Sequence, residues 1–184
     1  MKDTLYLILK EILVENSVNC QRFALADDLK LELNQFTTSN YDISAFTKNS
    51  KEKEIIRPLM VIHGKIKRDI THGKYWTGLL QPKIEESLKN NELPVITDVR
   101  YCKYSEDEVY WAKEVNKAIL VHITRYDKNN IKIAPANLDE AENEPKLISA
   151  ANFKLTWPTS DDRNLLKEIV KTQLSELINN ICQK

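Results

Sequence analysis

Glycine is the residue that most constrains this sequence, because only Gly64, Gly73 and Gly78 occur among its 184 residues. Phosphate-binding loops need glycine where a side chain would keep the backbone away from the phosphate. Neither a complete Walker A loop, G-x-x-x-x-G-K-[ST], nor the dinucleotide-binding pattern G-x-G-x-x-G can be written anywhere in the chain. The sequence therefore excludes a complete copy of either loop.

Size and charge predict one ordinary globular domain. A chain of 184 residues with 42% hydrophobic residues suits a single core. Its 27 basic residues are balanced by 27 acidic residues. Because nucleic acids are bound through a local surplus of Lys and Arg, zero net charge argues against nonspecific nucleic-acid binding. We therefore expect no nucleic-acid partner.

The cysteines and the hydropathy pattern indicate the cellular compartment of the protein. Cys20, Cys102 and Cys182 are odd in number and far apart, with no C-x-x-C pair and no histidine at ligand spacing. We interpret them as reduced thiols rather than a disulfide framework or a metal site. The charged N-terminal residues do not resemble a signal peptide, and no apolar run approaches about 18 residues. We expect a cytoplasmic protein with no membrane partner.

Hydrophobic periodicity divides the chain into alternating helices and strands. Helical spacing of apolar residues predicts helices at 5–13, 27–36, 55–62, 76–88, 105–115 and 165–181. Short apolar runs predict strands at 21–26, 94–99, 118–125 and 152–158. The segment 37–54 is predicted to be a loop or excursion, and 127–145 is a polar, acidic stretch without a predicted element. Alternating strands and helices imply right-handed crossovers and a parallel α/β sheet.

Three of the predicted helices begin with cap signals. Asp27 opens the second helix, and Ser105 with Glu108 has the S-x-x-E spacing of a capping box. Ser160, Asp161 and Asp162 stand where the last helix begins.

Polar residues that follow strands are the first candidates for a site, because ligands of parallel sheets bind beyond the carboxyl ends of the strands. The candidates are Asp98 and Arg100, then Arg125, and finally Asp27 with Asp28 and Lys30. A carboxylate beside an arginine suits a site in which the aspartate orients a metal or water and the arginine holds a phosphate. The alternatives are a buried ion pair at Asp98 and a helix cap at Asp27.

A basic cluster with aromatic residues is a second candidate. Its members are Arg57, Lys65, Lys67, Arg68, Lys74, Tyr75 and Trp76. Guanidinium groups on a phosphate and rings stacked on a base would hold a mononucleotide. An exposed amphipathic helix with Trp76 in the core explains the same residues.

Taken in order, these segments resemble the deoxynucleoside monophosphate kinases of tailed phages, a P-loop kinase family. The family's Walker A loop ends in Gly-Lys-Asp-Thr, and this chain opens M-K-D-T-L, which matches at Lys2, Asp3 and Thr4. The further resembling segments are R-F-A-L-A-D-D-L-K, R-P-L-M-V-I-H-G, K-Y-W-T-G-L-L, V-I-T-D-V-R-Y, I-L-V-H-I-T-R and F-K-L-T-W-P-T-S-D-D-R. The resemblance covers nearly the whole chain.

The resemblance implies a three-layer, P-loop kinase-like parallel sheet flanked by helices. Residues 1–184 would form one domain, with a substrate-side helical excursion at about 37–90. The activity implied is phosphoryl transfer from ATP, with Mg²⁺, to a (deoxy)nucleoside monophosphate.

The same resemblance implies roles for particular residues. Lys2 would reach the β- and γ-phosphates, Asp3 or Thr4 would help to hold Mg²⁺, and Asp98 would lie near the metal. The arginines Arg100 and Arg125 would steady phosphates. The acceptor nucleotide would be bound by Asp27, Lys30, Arg57, Tyr75 and Trp76.

The sequence departs from the family at its start. Met1 stands where the last glycine of the loop is expected, and the central strand that precedes this loop in the family has no counterpart. Strands 94–99 and 118–125 would then face a gap. Buried backbone groups along the gap would lack hydrogen-bond partners, which is unfavourable in free energy. Three resolutions stay open: a start further upstream, direct pairing of the two strands, or a strand from another chain.

Three functional hypotheses follow. The chain is a nucleotide kinase whose phosphate loop is truncated, a noncatalytic nucleotide-binding or protein-interaction module, or a structural subunit. The subunit would complete its sheet as a homodimer or with a strand-donating partner.

Overall fold

The computed structural model describes residues 2–183, except for the side chain of Lys2. The helices are Lys2–Glu15 (α1), Leu25–Tyr41 (α2), Ser50–Ile70 (α3), Lys74–Lys89 (α4), Glu108–Tyr110 (α5), Leu138–Ala150 (α6), Arg163–Gln173 (α7) and Ser175–Cys182 (α8). The strands are Cys20–Phe23 (β1), Leu93–Ile96 (β2), Val121–Tyr126 (β3) and Phe153–Pro158 (β4). A π-helical turn, Trp111–Val115, continues α5. The predicted mixed α/β class is confirmed.

The strands form two parallel pairs. β1 pairs with β2 from Cys20↔Leu93 to Phe23↔Ile96, and β3 pairs with β4 from Val121↔Phe153 to Tyr126↔Pro158. The four predicted strands and their parallel direction are confirmed. Among residues 2–183, however, β2 is not hydrogen-bonded to β3, so the two predicted inner strands do not pair directly.

Helix α1 packs on both sheets at once. Its Ile8 and Ile12 lie in a core cluster with β4, α7 and α8, whereas Tyr6 and Leu13 form a cluster with the first residue of β1. Leu9, between these positions, packs against both clusters. Because side chains three and four residues apart share one helix face, α1 lays a continuous apolar stripe across the two pairs of strands.

The other face of the first sheet is covered by α4 and the π-helical turn. Phe23 and Ile96 point away from α1, since successive strand residues alternate between faces. They pack with buried residues of α4 and the turn, among them Trp76 and Trp111. Leu120, which directly precedes β3, packs against this same cluster. The first sheet is therefore covered by helices on both faces.

The predicted loop at 37–54 is mostly helical. α2 continues to Tyr41, and α3 begins at Ser50, capped by the Asn49 side chain. Only residues 42–49 connect them. Thr37 belongs to the segment that the sequence predicts to be a loop, but it is fully buried. Tertiary packing therefore overrides its weak helix propensity.

The acidic stretch 127–145 also contains a helix. α6 begins at Leu138, where Asn137 caps it by accepting a hydrogen bond from the Glu140 N–H at 2.9 Å. The single buried residue of this helix is polar, Asn143, so no apolar periodicity marks it in the sequence.

Two predicted caps need correction, and one is confirmed. α2 begins at Leu25 rather than Asp27, and the cap of α5 is Asp107 rather than Ser105. Asp162 caps α7 by accepting hydrogen bonds from the N–H groups of Asn164 and Leu165, as predicted.

Ile8→Ala tests the packing of α1. Ile8 is fully buried, whereas its neighbour Leu7 is 47% exposed. We expect Ile8→Ala to lower the free energy of unfolding by about 2–5 kcal/mol, because it leaves a cavity below α1. Leu7→Ala is the matched control and should cost less than about 1 kcal/mol. Urea unfolding measures both, and equal losses would contradict this arrangement.

Candidate functional site

Asp98 lies just beyond β2 and is 8% exposed. Its two carboxylate oxygens accept hydrogen bonds from the N–H groups of Leu25 and Ala26, at 2.8 and 2.9 Å. These amides open α2, and a carboxylate is favourable at the positive end of a helix. The structure thus places Asp98 as a cap for a helix 73 residues earlier in the chain, which is neither of the two predicted roles.

Arg22, which the sequence did not single out, joins the beginnings of α1 and α2. Its Nη1 lies 2.9 Å from Asp27 Oδ2, and its Nε lies 2.9 Å from Asp3 Oδ1. Asp27 also pairs with Lys30 at 3.2 Å. Two of the predicted acidic residues are therefore brought together, and Lys30 with them, but each is already paired within the chain.

The start of α1 lies at the carboxyl end of β1, as the contact between Asp3 and Arg22 shows. Thr4 is half-buried, and its hydroxyl makes no hydrogen bond to a residue that the structure describes. The Lys2 side chain, predicted to reach phosphates, lies outside the described part of the chain.

The two arginines predicted to steady phosphates have different surroundings. Arg100 Nη1 donates to Glu140 Oε1 at 2.6 Å, which ties the end of β2 to the start of α6. Arg125 is exposed at the end of β3, and its carbonyl accepts from the Ile133 N–H at 2.9 Å. The structure describes no salt bridge of the Arg125 side chain within residues 2–183.

The predicted acceptor residues Tyr75 and Trp76 pack edge to face, with ring centroids 4.8 Å apart, and like Arg57 they have partners within the chain. Arg57 is exposed on α3 and pairs with Glu54 at 2.7 Å. The Tyr75 hydroxyl bonds the Glu32 carboxylate and accepts from Lys67 at 3.1 Å. Trp76 is 3% exposed in the core, and its indole N–H donates to the Gly64 carbonyl. The core interpretation of Trp76 therefore fits its surroundings better than stacking on a base.

Arg68 of α3 is a buried charged group that forms no salt bridge with any residue that the structure describes. It is 8% exposed, and its guanidinium lies over the ring of Tyr101 at 3.4 Å from the centroid. Its buried Nε has no hydrogen-bond partner, and within residues 2–183 the side chain forms no salt bridge. Arginine keeps its charge at all ordinary pH values. Because a buried charge without a partner is costly, Arg68 is a candidate for binding an anion.

Glu108 lies close to Arg68 without neutralising it. Its Oε2 accepts hydrogen bonds from the backbone N–H groups of Arg100, at 2.6 Å, and Tyr101, at 3.1 Å. Burial raises the pKa of Glu108 to about 8, although the hydrogen bond from the Arg100 N–H and the Arg68 charge act in the opposite direction. The side chain is therefore mainly protonated at neutral pH, and the positive charge of Arg68 stays uncompensated.

The magnesium site stays a prediction, and the structure shows only how Asp98, one of its predicted residues, is engaged. Both oxygens of Asp98 are engaged by backbone amides. Within residues 2–183, no three side chains of His, Cys, Asp or Glu come together in a way that would hold a metal ion.

The sequence contained only a weak signal for Arg68 and Glu108. Arg68 was one of five basic residues in a cluster, and Glu108 matched a helix cap. Periodicity does not reveal that both side chains turn inward beside Tyr101, because the contact joins α3 to the segment after β2.

Searches against protein-family models, curated proteins and solved structures gave no match for this chain. Within the described residues, no helix is both long enough and apolar enough to cross a membrane.

The pKa of Glu108 predicts how stability depends on pH. The folded state keeps a proton on Glu108 up to about pH 8, whereas an unfolded glutamate loses it near about pH 4.3. The contribution of this group is therefore full below that lower pH and is lost as pH rises toward 8. The free energy of unfolding should therefore fall as the pH rises from 5 to 8. We expect this fall to be smaller in Glu108→Gln than in the unaltered protein, by more than about 1 kcal/mol.

The exposed neighbour Glu106 provides the control, since Glu106→Gln makes the same change at a carboxylate that is not buried, and urea unfolding measures both variants. A Glu108→Gln variant with the slope of the unaltered protein would show that Glu108 is ionised in the folded state.

Proposed function

We propose that this chain binds the phosphate of a nucleoside monophosphate at Arg68, as a domain of the deoxynucleoside monophosphate kinase type. The single observation that carries the proposal is the buried Arg68 side chain, whose Nε has no hydrogen-bond partner and which forms no salt bridge within residues 2–183. A guanidinium offers paired donors that match the oxygens of a phosphate. The neutral form of Glu108 leaves this charge available to the ligand.

The finer architecture that we propose is the three-layer sheet of a P-loop kinase, interrupted between β2 and β3. Its strand order would be β1, β2, a further strand, β3 and β4. The support is that α1 packs on both pairs of strands from one face. On the other face, Ile96 of β2 and Leu120 before β3 pack against one cluster.

The reaction proposed for the complete site is phosphoryl transfer from ATP, with Mg²⁺, to the bound monophosphate. The part of the chain that the structure describes does not fit the donor side, because Asp98 is engaged as a helix cap. The sequence also lacks a complete glycine-rich loop. We therefore propose that monophosphate binding belongs to the described residues and that transfer needs a phosphate-binding loop in addition.

A noncatalytic nucleotide-binding or interaction module is the second candidate. The observation that favours it is that the predicted carboxylates Asp3, Asp27 and Asp98 all serve contacts within the chain. This candidate shares the Arg68 site and differs in the absence of phosphoryl transfer.

Arg68→Met tests the phosphate site. Methionine keeps much of the packing over Tyr101 and removes the charge. We expect the affinity for dGMP or dTMP, measured by isothermal titration calorimetry, to fall about 10–100-fold, as for the loss of a charged hydrogen bond. The ligand-free variant should be at least as stable as the unaltered protein, because an unpaired buried charge has been removed.

Lys53→Met, which also replaces a cation by methionine at an exposed position on the same helix, is the matched control and should bind dGMP normally. The nucleoside without its phosphate should bind equally to both variants and to the unaltered protein. Undiminished dGMP binding by Arg68→Met would refute the assignment.

Phosphoryl transfer separates the two candidates. With ATP, Mg²⁺ and dGMP, we expect turnover by the 184-residue chain to be low or absent, because a missing oxyanion-type donor set costs several orders of magnitude in rate. Turnover that disappears in Lys2→Ala would establish the kinase and exclude the noncatalytic module.

A further inference from the structure

Helix α3 carries a long apolar stripe on its surface. Its members are Ile55, Leu59, Ile62, Ile66 and Ile70. Because they follow one another at intervals of three or four residues, they share one face of the helix over a length of about 22 Å. Leu59 is half-buried, and the four isoleucines of the stripe are more than half exposed. Single apolar residues are ordinary on a protein surface, whereas a continuous exposed stripe marks an interaction site.

The side of α3 that faces the core is a different one. Its buried residues are Ile56, Gly64 and Arg68. A Cβ atom at Gly64 would lie only 2.7 Å from Leu29 of α2, and the Gly64 carbonyl accepts a hydrogen bond from Trp76 of α4. Packing on α2 and α4 therefore covers one face of α3 and leaves the stripe exposed among residues 2–183. Since Arg68 belongs to the buried face, the stripe is separate from the candidate phosphate site.

Charged side chains follow one edge of the stripe in an order that is complementary to its own reverse. They are Lys51, Glu54, Lys65 and Asp69, at about 60–120° round the helix from the centre of the stripe. In an antiparallel pair of α3 helices centred near residue 60, Lys51 of one copy lies beside Asp69 of the other, and Glu54 lies beside Lys65. Both contacts join opposite charges, and two-fold symmetry repeats each of them.

The same register joins the apolar residues of the two stripes. Ile55 lies beside Ile66 of the second copy, and the middle residues of the two stripes face each other. In a parallel pair, residues at the same height would meet, which brings Lys65 of one edge beside Lys67 of the other edge. The stripe therefore suits an antiparallel copy of itself.

The charged residues of this edge are available to a second copy. Lys65 Nζ lies 3.4 Å from Asp139 Oδ2, and Glu54 pairs only within its own helix. Both are exposed pairs, which contribute little to stability and are readily exchanged. Asp69 Oδ1 accepts a hydrogen bond from Tyr104, but its Oδ2 makes none within residues 2–183.

We propose that two copies of this chain associate through α3, in an antiparallel pair about a two-fold axis near residue 60. The occupant of the stripe is a second copy because the apolar stripe and its charged edge are both complementary to themselves. The contact is small, since a stripe about 22 Å long on a helix about 10–12 Å wide covers less than the roughly 800 Å² per partner of a standard interface. We therefore expect a weak dimer, with a dissociation constant of about 10–500 µM.

Sedimentation velocity of the full 184-residue chain, without nucleotide, tests the proposal. We expect the fraction of dimer to rise with concentration between about 5 µM and about 1 mM. Ile62→Glu places a charge in the middle of each stripe and should weaken dimerisation at least about tenfold. Ile131→Glu, the same change at a similarly exposed isoleucine outside α3, is the matched control and should dimerise normally.

A charge exchange tests the antiparallel register. Glu54→Lys and Lys65→Glu each set like charges beside each other twice in the dimer, so each should raise the dissociation constant about threefold or more. The double variant Glu54→Lys/Lys65→Glu restores opposite charges and should recover the dimer. Because residues 54 and 65 do not meet in a parallel pair, failure of the double variant to recover would overturn the antiparallel arrangement.

A monomer at every concentration would overturn the proposal and leave the stripe to a different kind of partner. Dimerisation that is unchanged in Ile62→Glu would also overturn it, because the copies would then meet through another face. Neither result depends on Arg68, since nucleotide is absent from these measurements. Titration of dGMP reports on the candidate phosphate site separately, so failure of the dimer is distinguishable from failure of the proposed function.

Discussion

The packing of α1 across two separate pairs of strands is the constraint on which the rest of the structure depends. Ile8, Ile12 and Leu13 are almost completely buried, and Leu9 packs against both clusters below the helix. Because β2 and β3 share no hydrogen bonds, the apolar stripe of α1 connects two halves that the backbone does not. This packing therefore fixes how the two pairs of strands lie relative to each other.

At the carboxyl ends of the strands, the charges are mostly satisfied within the chain. Asp98 caps α2, Arg22 holds Asp3 and Asp27, and Arg100 pairs with Glu140. Arg68 differs from these groups because aromatic packing, rather than a carboxylate, holds it in place. A fixed and desolvated positive charge is more useful for binding a phosphate than an arginine already paired with a carboxylate, since no internal ion pair must be broken first.

The elements with strong apolar patterns were predictable. The four strands, α1 and the cap at Asp162 lie within a few residues of their predicted positions. The polar helices were not: the end of α2 and most of α6 have few apolar residues, and their order comes from buried polar groups such as Thr37 and Asn143. The site was only partly predictable, because its decisive contacts, Arg68 with Tyr101 and Asp98 with the start of α2, join residues that lie far apart in the chain.

The sequence by itself determined the alternation of strands and helices, the parallel direction of the strands and the absence of a complete glycine-rich loop, since periodicity and composition are local properties. Tertiary structure alone decided that Asp98 serves a helix, that Arg68 is buried without a salt bridge among residues 2–183, and that no hydrogen bonds join β2 to β3 in this range. Those outcomes depend on which groups meet after the chain has folded, because burial and pairing, rather than residue type, set the energy of a charge or a backbone amide.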